Sequence, residues 1–294
     1  MQETDVPNLT ISGAIRDVVT GETPRASAFI VTIYGDAVEP RGGTLWMGTL
    51  IDCCAEHGIS ESLVRTAVSR LVGAGRLVGE RIGRRSYYRL SDAAQAEFRA
   101  AARVLFAPPP EPRNWLVAFS GETGDAALPE GWARAAANVA IAPNRSDIRQ
   151  PDAIVMACDT ISGEGAVPAL AARLWPVEDV ASAYRAFLRK YERLAAELTD
   201  PRALPLQLAL ALRLRLVHDY RHAALSDPRL PREAWPPGWS AGEARRLFVG
   251  TYLSLSDAAD GYVGRSFHDA NGLLPSKTPA TETRLDRLRR EARC

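Results

Sequence analysis

Apolar positions recur at helical spacing along residues 25–38 and 61–74, then alternate across 76–90 in the rhythm of two strands. In the first segment Phe29, Ile30, Ile33 and Tyr34 mark a buried helix, closed by the turn Pro40-Arg41-Gly42-Gly43. Thr44 is placed to cap a second helix, with Trp46, Leu50 and Cys53 or Cys54 on its inner face. His57-Gly58 ends that helix, glycine serving as its C-cap. Ser60 then opens a third helix over 61–74, whose inner face is Leu63, Val64, Ala67, Val68 and Leu71. Two helices across a short glycine-containing turn predict a helix-turn-helix. Residues 76–82 and 85–90, joined at Gly83-Arg84, predict a β-hairpin with Tyr88 and Leu90 inward and Arg85, Tyr87 and Arg89 outward. A hairpin directly after such a helix predicts a winged helix.

Ser91-Asp92 starts a further helix, with Ala94, Phe98, Ala101, Ala102 and Leu105 at helical spacing. It stops at Ala107, before Pro108-Pro109-Pro110-Glu111-Pro112, a run that cannot continue a helix and makes a stiff linker. The expected division is a mobile arm over 1–23, a winged-helix domain with its trailing helix over 24–107, and a linker over 108–112. Residues 113–176 form a small α/β or α+β domain, from strands at 115–119 and 153–158 and a helix at 132–141. Residues 177–265 are helical: Val180, Tyr184, Phe187, Leu188, Tyr191, Leu194 and Leu198 mark one helix, 206–221 a second, and Phe248, Tyr252, Leu255, Ala259 and Tyr262 a third. Residues 266–294 remain as an extension. The fold class is therefore α+β and multidomain.

Charge changes the picture only through its placement. The chain carries 36 basic and 35 acidic residues, a net charge of +1, which excludes a wholesale polybasic protein. Lys190 and Lys277 are the only lysines, so arginine supplies nearly all the positive side. Between 60 and 90, Arg65, Arg70, Arg76, Arg81, Arg84, Arg85 and Arg89 face only Glu61 and Glu80, a local +5. The outer face of the third helix offers Ser62, Arg65, Thr66, Ser69 and Arg70, short hydroxyls and guanidinium forks that suit base edges and phosphates in a major groove. With Arg81, Arg84, Arg85 and Tyr87 of the hairpin, these are the expected contacts to double-stranded DNA.

Other chemistry finds little support. No nucleophile elbow, P-loop or dinucleotide fingerprint occurs, so no catalytic site and no enzyme is expected. His218 and His222 stand at metal-ligand spacing beside Asp219, with His268-Asp269 further on, but without a base at the metalloprotease position; packing is the preferred reading and no metal is assigned. Trp132, Trp175, Trp235 and Trp239, with Arg173, Arg185 and Arg221, are possible linings of an effector pocket, and none is assigned. The longest apolar stretches are short of the about 20 residues a membrane helix needs. No leader pattern opens the chain and the four cysteines form no C-x-x-C pair, so a cytoplasmic, reduced protein is expected.

Several strings are shared with one family. Tyr34-Gly35-Asp36, Pro40-Arg41-Gly42, Gly58-Ile59-Ser60, Val64-Arg65-Thr66-Ala67-Val68-Ser69-Arg70-Leu71 and Gly83-Arg84-Arg85-Ser86-Tyr87-Tyr88-Arg89-Leu90 resemble the PaaX family of bacterial repressors. So do His218-Asp219-Tyr220-Arg221, Asp227-Pro228-Arg229-Leu230-Pro231 and Pro236-Pro237-Gly238-Trp239, the resemblance spanning about residues 24–265. It implies a winged-helix N-terminal domain, a ferredoxin-like middle domain and a helical C-terminal domain. It also implies a homodimer that represses phenylacetate degradation genes and leaves operator DNA on binding phenylacetyl-CoA. His222, where a second arginine is expected, departs from the pattern.

Overall fold

The computed structural model describes residues 13–119, 127–198 and 204–293. The fold is mixed α+β. Helices α2 (Ala26–Ile33), α3 (Met47–Ala55) and α4 (Glu61–Gly73) precede a hairpin of β2 (Leu77–Ile82) and β3 (Arg85–Leu90). The trailing helix α5 (Asp92–Phe106) begins as expected, with Ser91 Oγ accepting from the Ala94 amide. Between α2 and the first turn lies a single π-helical turn, Tyr34–Val38.

Two expectations about this unit fail. Thr44 does not cap a helix: Thr44–Trp46 is a strand, β1, paired antiparallel with β3, so the sheet order is β1-β3-β2. A three-residue strand is too short to show alternation, which is why it read as helix. Residues 13–20, expected within a mobile arm, form helix α1 (Gly13–Thr20), with Ala14, Ile15 and Val18 buried; residues 1–12 lie outside the described residues. Ile15 and Val18 join the core made by α5, α7 (Val177–Glu197), α8 (Leu206–Ser226) and α9 (Ala241–Ser266).

The middle region is a four-stranded antiparallel sheet, β5-β6-β4-β7, from β4 (Trp115–Phe119), β5 (Ala133–Ala136), β6 (Val139–Pro143) and β7 (Ile154–Cys158). The helix expected over 132–141 is therefore two strands. Alanine-rich sequence favours a helix locally, but pairing with β4 overrides that preference. Ala140 and Ala142 pack with Leu116 and Ala118 on one face of the sheet, while Ile141 packs with Trp115 on the other. Helix α6 (Val167–Leu174) covers the second face through Ala171.

Residues 266–293 are built into the fold. After the small hairpin β8 (His268–Asp269) and β9 (Gly272–Leu273), helix α10 (Pro279–Glu291) buries Leu285 and Leu288 in the helical core. Phe267 and Leu274 enter the core of the N-terminal unit, alongside Leu210 and Leu214 of α8.

A buried ionic joint links these parts. Arg213 of α8 donates from Nε to Asp36 Oδ2 at 2.9 Å and from Nη1 to Asp260 Oδ1 at 2.7 Å. Arg41 donates to the same Asp260 oxygen at 2.8 Å and to the carbonyls of Pro275 and Ser276. Tyr252 donates to Asp36 Oδ1 at 2.8 Å, and Arg284 of α10 donates to the Asp36 carbonyl at 3.0 Å. All five charged side chains are buried. Burial alone would raise the Asp260 carboxyl, but Arg213 and Arg41 outweigh it and hold it below its ordinary value. Arg213 is raised despite burial, Asp36 being the foremost opposing charge.

Candidate nucleic-acid interface

Helix α4 is set by its two ends and one apolar stripe. The preceding helix ends at Ala55, and the turn after it closes at Gly58, whose φ of +72° is available to glycine without strain, with the Ile59 amide bonded back to the Cys54 carbonyl. Val64, Ala67 and Val68 anchor α4 against α2 and α3. The opposite face presents Ser62, Arg65, Thr66, Ser69 and Arg70, all exposed. Thr66 Oγ1 is turned back onto the Ser62 carbonyl at 2.8 Å. Arg65 grips Glu61 one turn back, with Nε and Nη2 both on Oε1, at 2.8 and 2.7 Å.

Leu63 departs from expectation: it is 53% exposed rather than inward. Lying about 100° round the helix from Val64, it falls at the edge of the apolar stripe and projects beside Ser62. An exposed apolar side chain here is suited to the methyl group of a thymine.

The hairpin turns through Gly83-Arg84 with Gly83 at φ +61°, the first position of a type II′ turn, where glycine is favoured. Arg81, Arg84 and Arg85 are exposed around this tip. The Arg85 guanidinium sits 4.6 Å from the Trp46 ring centre, so β1 steadies it by cation–π contact. Across the hairpin the Tyr88 ring covers Gly79. Of the seven arginines over 60–90, Arg65, Arg76 and Arg89 have carboxylates within 4 Å, in Glu61, Glu97 and Asp92. Arg70, Arg81, Arg84 and Arg85 have none among the described residues, and they form the open cationic strip of the unit.

Tyr87 is a correction. It was expected outward as a DNA contact, but its side chain is buried at 6% exposure. Strand β3 is the central strand, and Tyr87 stands directly across from Trp46 of β1, whose ring meets His268 edge-on at 6.2 Å. Both faces of β3 are thus partly covered, and Tyr87 serves as scaffold.

The remaining candidates scatter. Trp132 and Trp175 are buried in the two cores of the middle sheet. Trp235 and Trp239 stack at 6.2 Å and line a cavity of about 250 Å³ beside the proline linker. Arg173 is exposed, Arg185 half-buried, and Arg221 lines a different cavity. His218 Nδ1 lies 3.0 Å from Thr32 Oγ1 and its ring packs edge-on against Phe29, while His222 is exposed. Among the described residues no group of three or more His, Cys, Asp or Glu is arranged to hold a metal ion, and no helix is long and apolar enough to cross a membrane.

Comparison with known proteins bears on this geometry. The family model for PaaX-like protein matches residues 25–94, and that for the PaaX-like protein C-terminal domain matches 175–265. The transcriptional repressor PaaX of Escherichia coli (strain K12) is 30% identical over 291 residues, covering 89% of this chain and 90% of the relative. The chain belongs to the PaaX family. The first PaaX model spans α2, α3, α4 and the hairpin, ending just inside α5. The second PaaX model spans α7, α8 and α9, the helices that supply Arg213, Tyr252 and Asp260 to the buried joint. A solved structure, an uncharacterized protein, Rv0674 from Mycobacterium tuberculosis, matches with 21% identity and a TM-score of 0.43, covering 73% of this chain and 89% of that one.

Proposed function

We propose that this PaaX-family protein is a sequence-specific transcriptional repressor, a regulator and not an enzyme, whose N-terminal unit is a winged helix-turn-helix. The observation that carries the reading is the single exposed strip made by α4 and the hairpin tip. Hydroxyls and Arg65 lie on the helix, and four arginines that have no carboxylate partner among the described residues run from its C-terminal end to the tip. Helix α4 enters the major groove, where Ser62, Arg65, Thr66 and Ser69 read base edges, and Arg70, Arg81, Arg84 and Arg85 hold phosphates. Trp46 acts through Arg85, fixing its direction.

The PaaX relative, named a transcriptional repressor, and the shared sequence strings support control of phenylacetate degradation genes, with phenylacetyl-CoA as the effector that releases the operator. The antiparallel strand order β5-β6-β4-β7 supports reading the middle region as a ferredoxin-like domain, followed by a helical C-terminal domain. The protein acts as a homodimer in the cytoplasm. Phe119, Ile154 and Met156, contiguous and exposed on one face of the middle sheet, offer a surface for that association.

The test is a band shift on the DNA upstream of the protein's own gene, with and without phenylacetyl-CoA. A sequence-preferring shift that phenylacetyl-CoA abolishes is the expected result, and absence of any preferred sequence overturns the reading. Release by a different acyl-CoA would keep the repressor and change its effector. Arg65→Ala is expected to cost about 1–3 kcal/mol and to relax base preference.

A further inference from the structure

The face that α4 turns to solvent is not uniform. Ser62, Arg65, Thr66, Ser69 and Arg70 make most of it polar, and Leu63 interrupts them. Leu63 is more exposed than Val72, Val78 and Ile82, the other exposed large apolar side chains of residues 25–90. The packing of α4 on α2 and α3 is made by Val64, Ala67 and Val68. Leu63 also stands in the first turn of α4, and the N-terminal residues of a reading helix are the ones that meet base edges.

Thr66 follows three residues on. At that spacing its Cβ lies about 5–6 Å from that of Leu63, close enough for one methyl group to touch both side chains. The Thr66 hydroxyl donates to the Ser62 carbonyl at 2.8 Å, so its single proton is committed inside the helix. It has none to give to the O4 of thymine or the O6 of guanine. Beyond lone pairs, what Thr66 offers a neighbour is its Cγ2 methyl.

Arg65 occupies the other flank of the face, about 160° round the axis from Leu63, and is gripped there by Glu61. The Ser60 and Ser62 hydroxyls pair with each other at 3.2 Å. The face therefore has a charged flank and an apolar flank. An apolar flank has one complement in a major groove. The base pairs present donors and acceptors there with a single exception, the 5-methyl group of thymine.

We propose that Leu63 and the Cγ2 methyl of Thr66 form a seat for the 5-methyl group of a thymine, and that this contact fixes a T·A pair in the preferred sequence without a hydrogen bond. The inference rests on the reading of α4 as the helix that enters the groove. It names the base that the apolar flank selects.

The experiment uses the full chain and the duplex it prefers in the band shift, with each thymine replaced in turn by deoxyuridine, which lacks only that methyl. Fluorescence anisotropy measures each affinity. The unaltered protein should lose about fourfold at one thymine position, the worth of one buried methyl group, and little elsewhere. Leu63→Ala should bind the thymine and deoxyuridine forms of that position almost alike, and match the unaltered protein in its response at every other position. Thr66→Val keeps the methyl and removes the hydroxyl, so the discrimination should persist; Thr66→Ser does the reverse and should weaken it. Both residues are exposed, and urea unfolding of each variant checks that the fold is kept. Three results overturn the proposal: no thymine at which the methyl matters, an equal methyl effect in Leu63→Ala and the unaltered protein, or a change of oligomeric state in Leu63→Ala, which would assign the leucine to a contact between copies. Failure of the repressor reading is seen earlier and separately, as the absence of any preferred duplex before a thymine is altered, and that result overturns both.

Discussion

Replacing Arg84 and Arg85 together with alanine removes half of the open cationic strip. Among the described residues, Arg70, Arg81, Arg84 and Arg85 have no carboxylate within 4 Å, and on the proposed reading these four meet phosphates. Each phosphate neutralised contributes about −0.9 to the slope of log affinity against log salt, so four give about −3.6 per unit. Raising salt from about 50 to about 200 mM should then weaken the unaltered protein about 150-fold per unit. The double variant keeps two contacts, a slope of about −1.8, and loses only about 12-fold over the same range. Fluorescence anisotropy with a labelled operator and a scrambled duplex, titrated at four salt concentrations, measures both slopes. The variant should weaken the two duplexes alike, because phosphates carry no sequence. An unchanged slope would show that the hairpin tip lies away from the backbone. A loss confined to the operator would show that Arg84 or Arg85 reads bases.

Glu61→Gln releases Arg65 from its ion pair and removes an exposed negative charge from the reading face; salt titration should show a slope steeper by about 0.9 and tighter binding to scrambled duplex. Asp36→Asn leaves Arg41, Arg213 and Arg284 with Asp260 as their remaining buried carboxylate. It should lower unfolding stability in urea by about 3–5 kcal/mol, and a loss under about 1 kcal/mol would refute the view of this joint as one coupled network. Burial, reinforced by Arg215, holds the His57 ring neutral down to about 3 against an ordinary 6.5. The stability this provides is complete above pH 6.5 and declines as pH falls toward 3. At pH 5, His57 alone should cost about 2 kcal/mol, and His57→Leu should flatten the fall in urea stability between pH 7 and 5; identical pH dependence in both proteins would refute the assignment.

The helices and the hairpin of the N-terminal unit were legible because burial there follows a local period. The exposed face of α4 is the complement of Val64, Ala67 and Val68. Strand β1 was not legible, since three residues carry no period, and without it nothing places Trp46 beside Tyr87 to cover that face of β3. The strands at 133–136 and 139–143 were hidden by an alanine-rich composition that only pairing with β4 overrides. The buried joint left no local trace at all. Arg41 and Asp260 are 219 positions apart, and nothing near either marks it as one half of a pair.

The clasp of Arg41 and Arg284 also orders events in time. Arg41 is held by the carbonyls of Pro275 and Ser276, the latter 235 positions downstream, and Thr278 donates to the Pro40 carbonyl. A ribosome adding about 5–20 residues per second takes on the order of ten to fifty seconds to cover that distance. During that interval the N-terminal unit exists without its downstream strap, and Arg41 lacks both these carbonyls and, for most of it, Asp260. The N-terminal unit thus reaches its final set of contacts only after residues 275–278 have been made. A chain cut near residue 275 would therefore release Arg41 from a distance, leaving the N-terminal unit without the carbonyls that hold it.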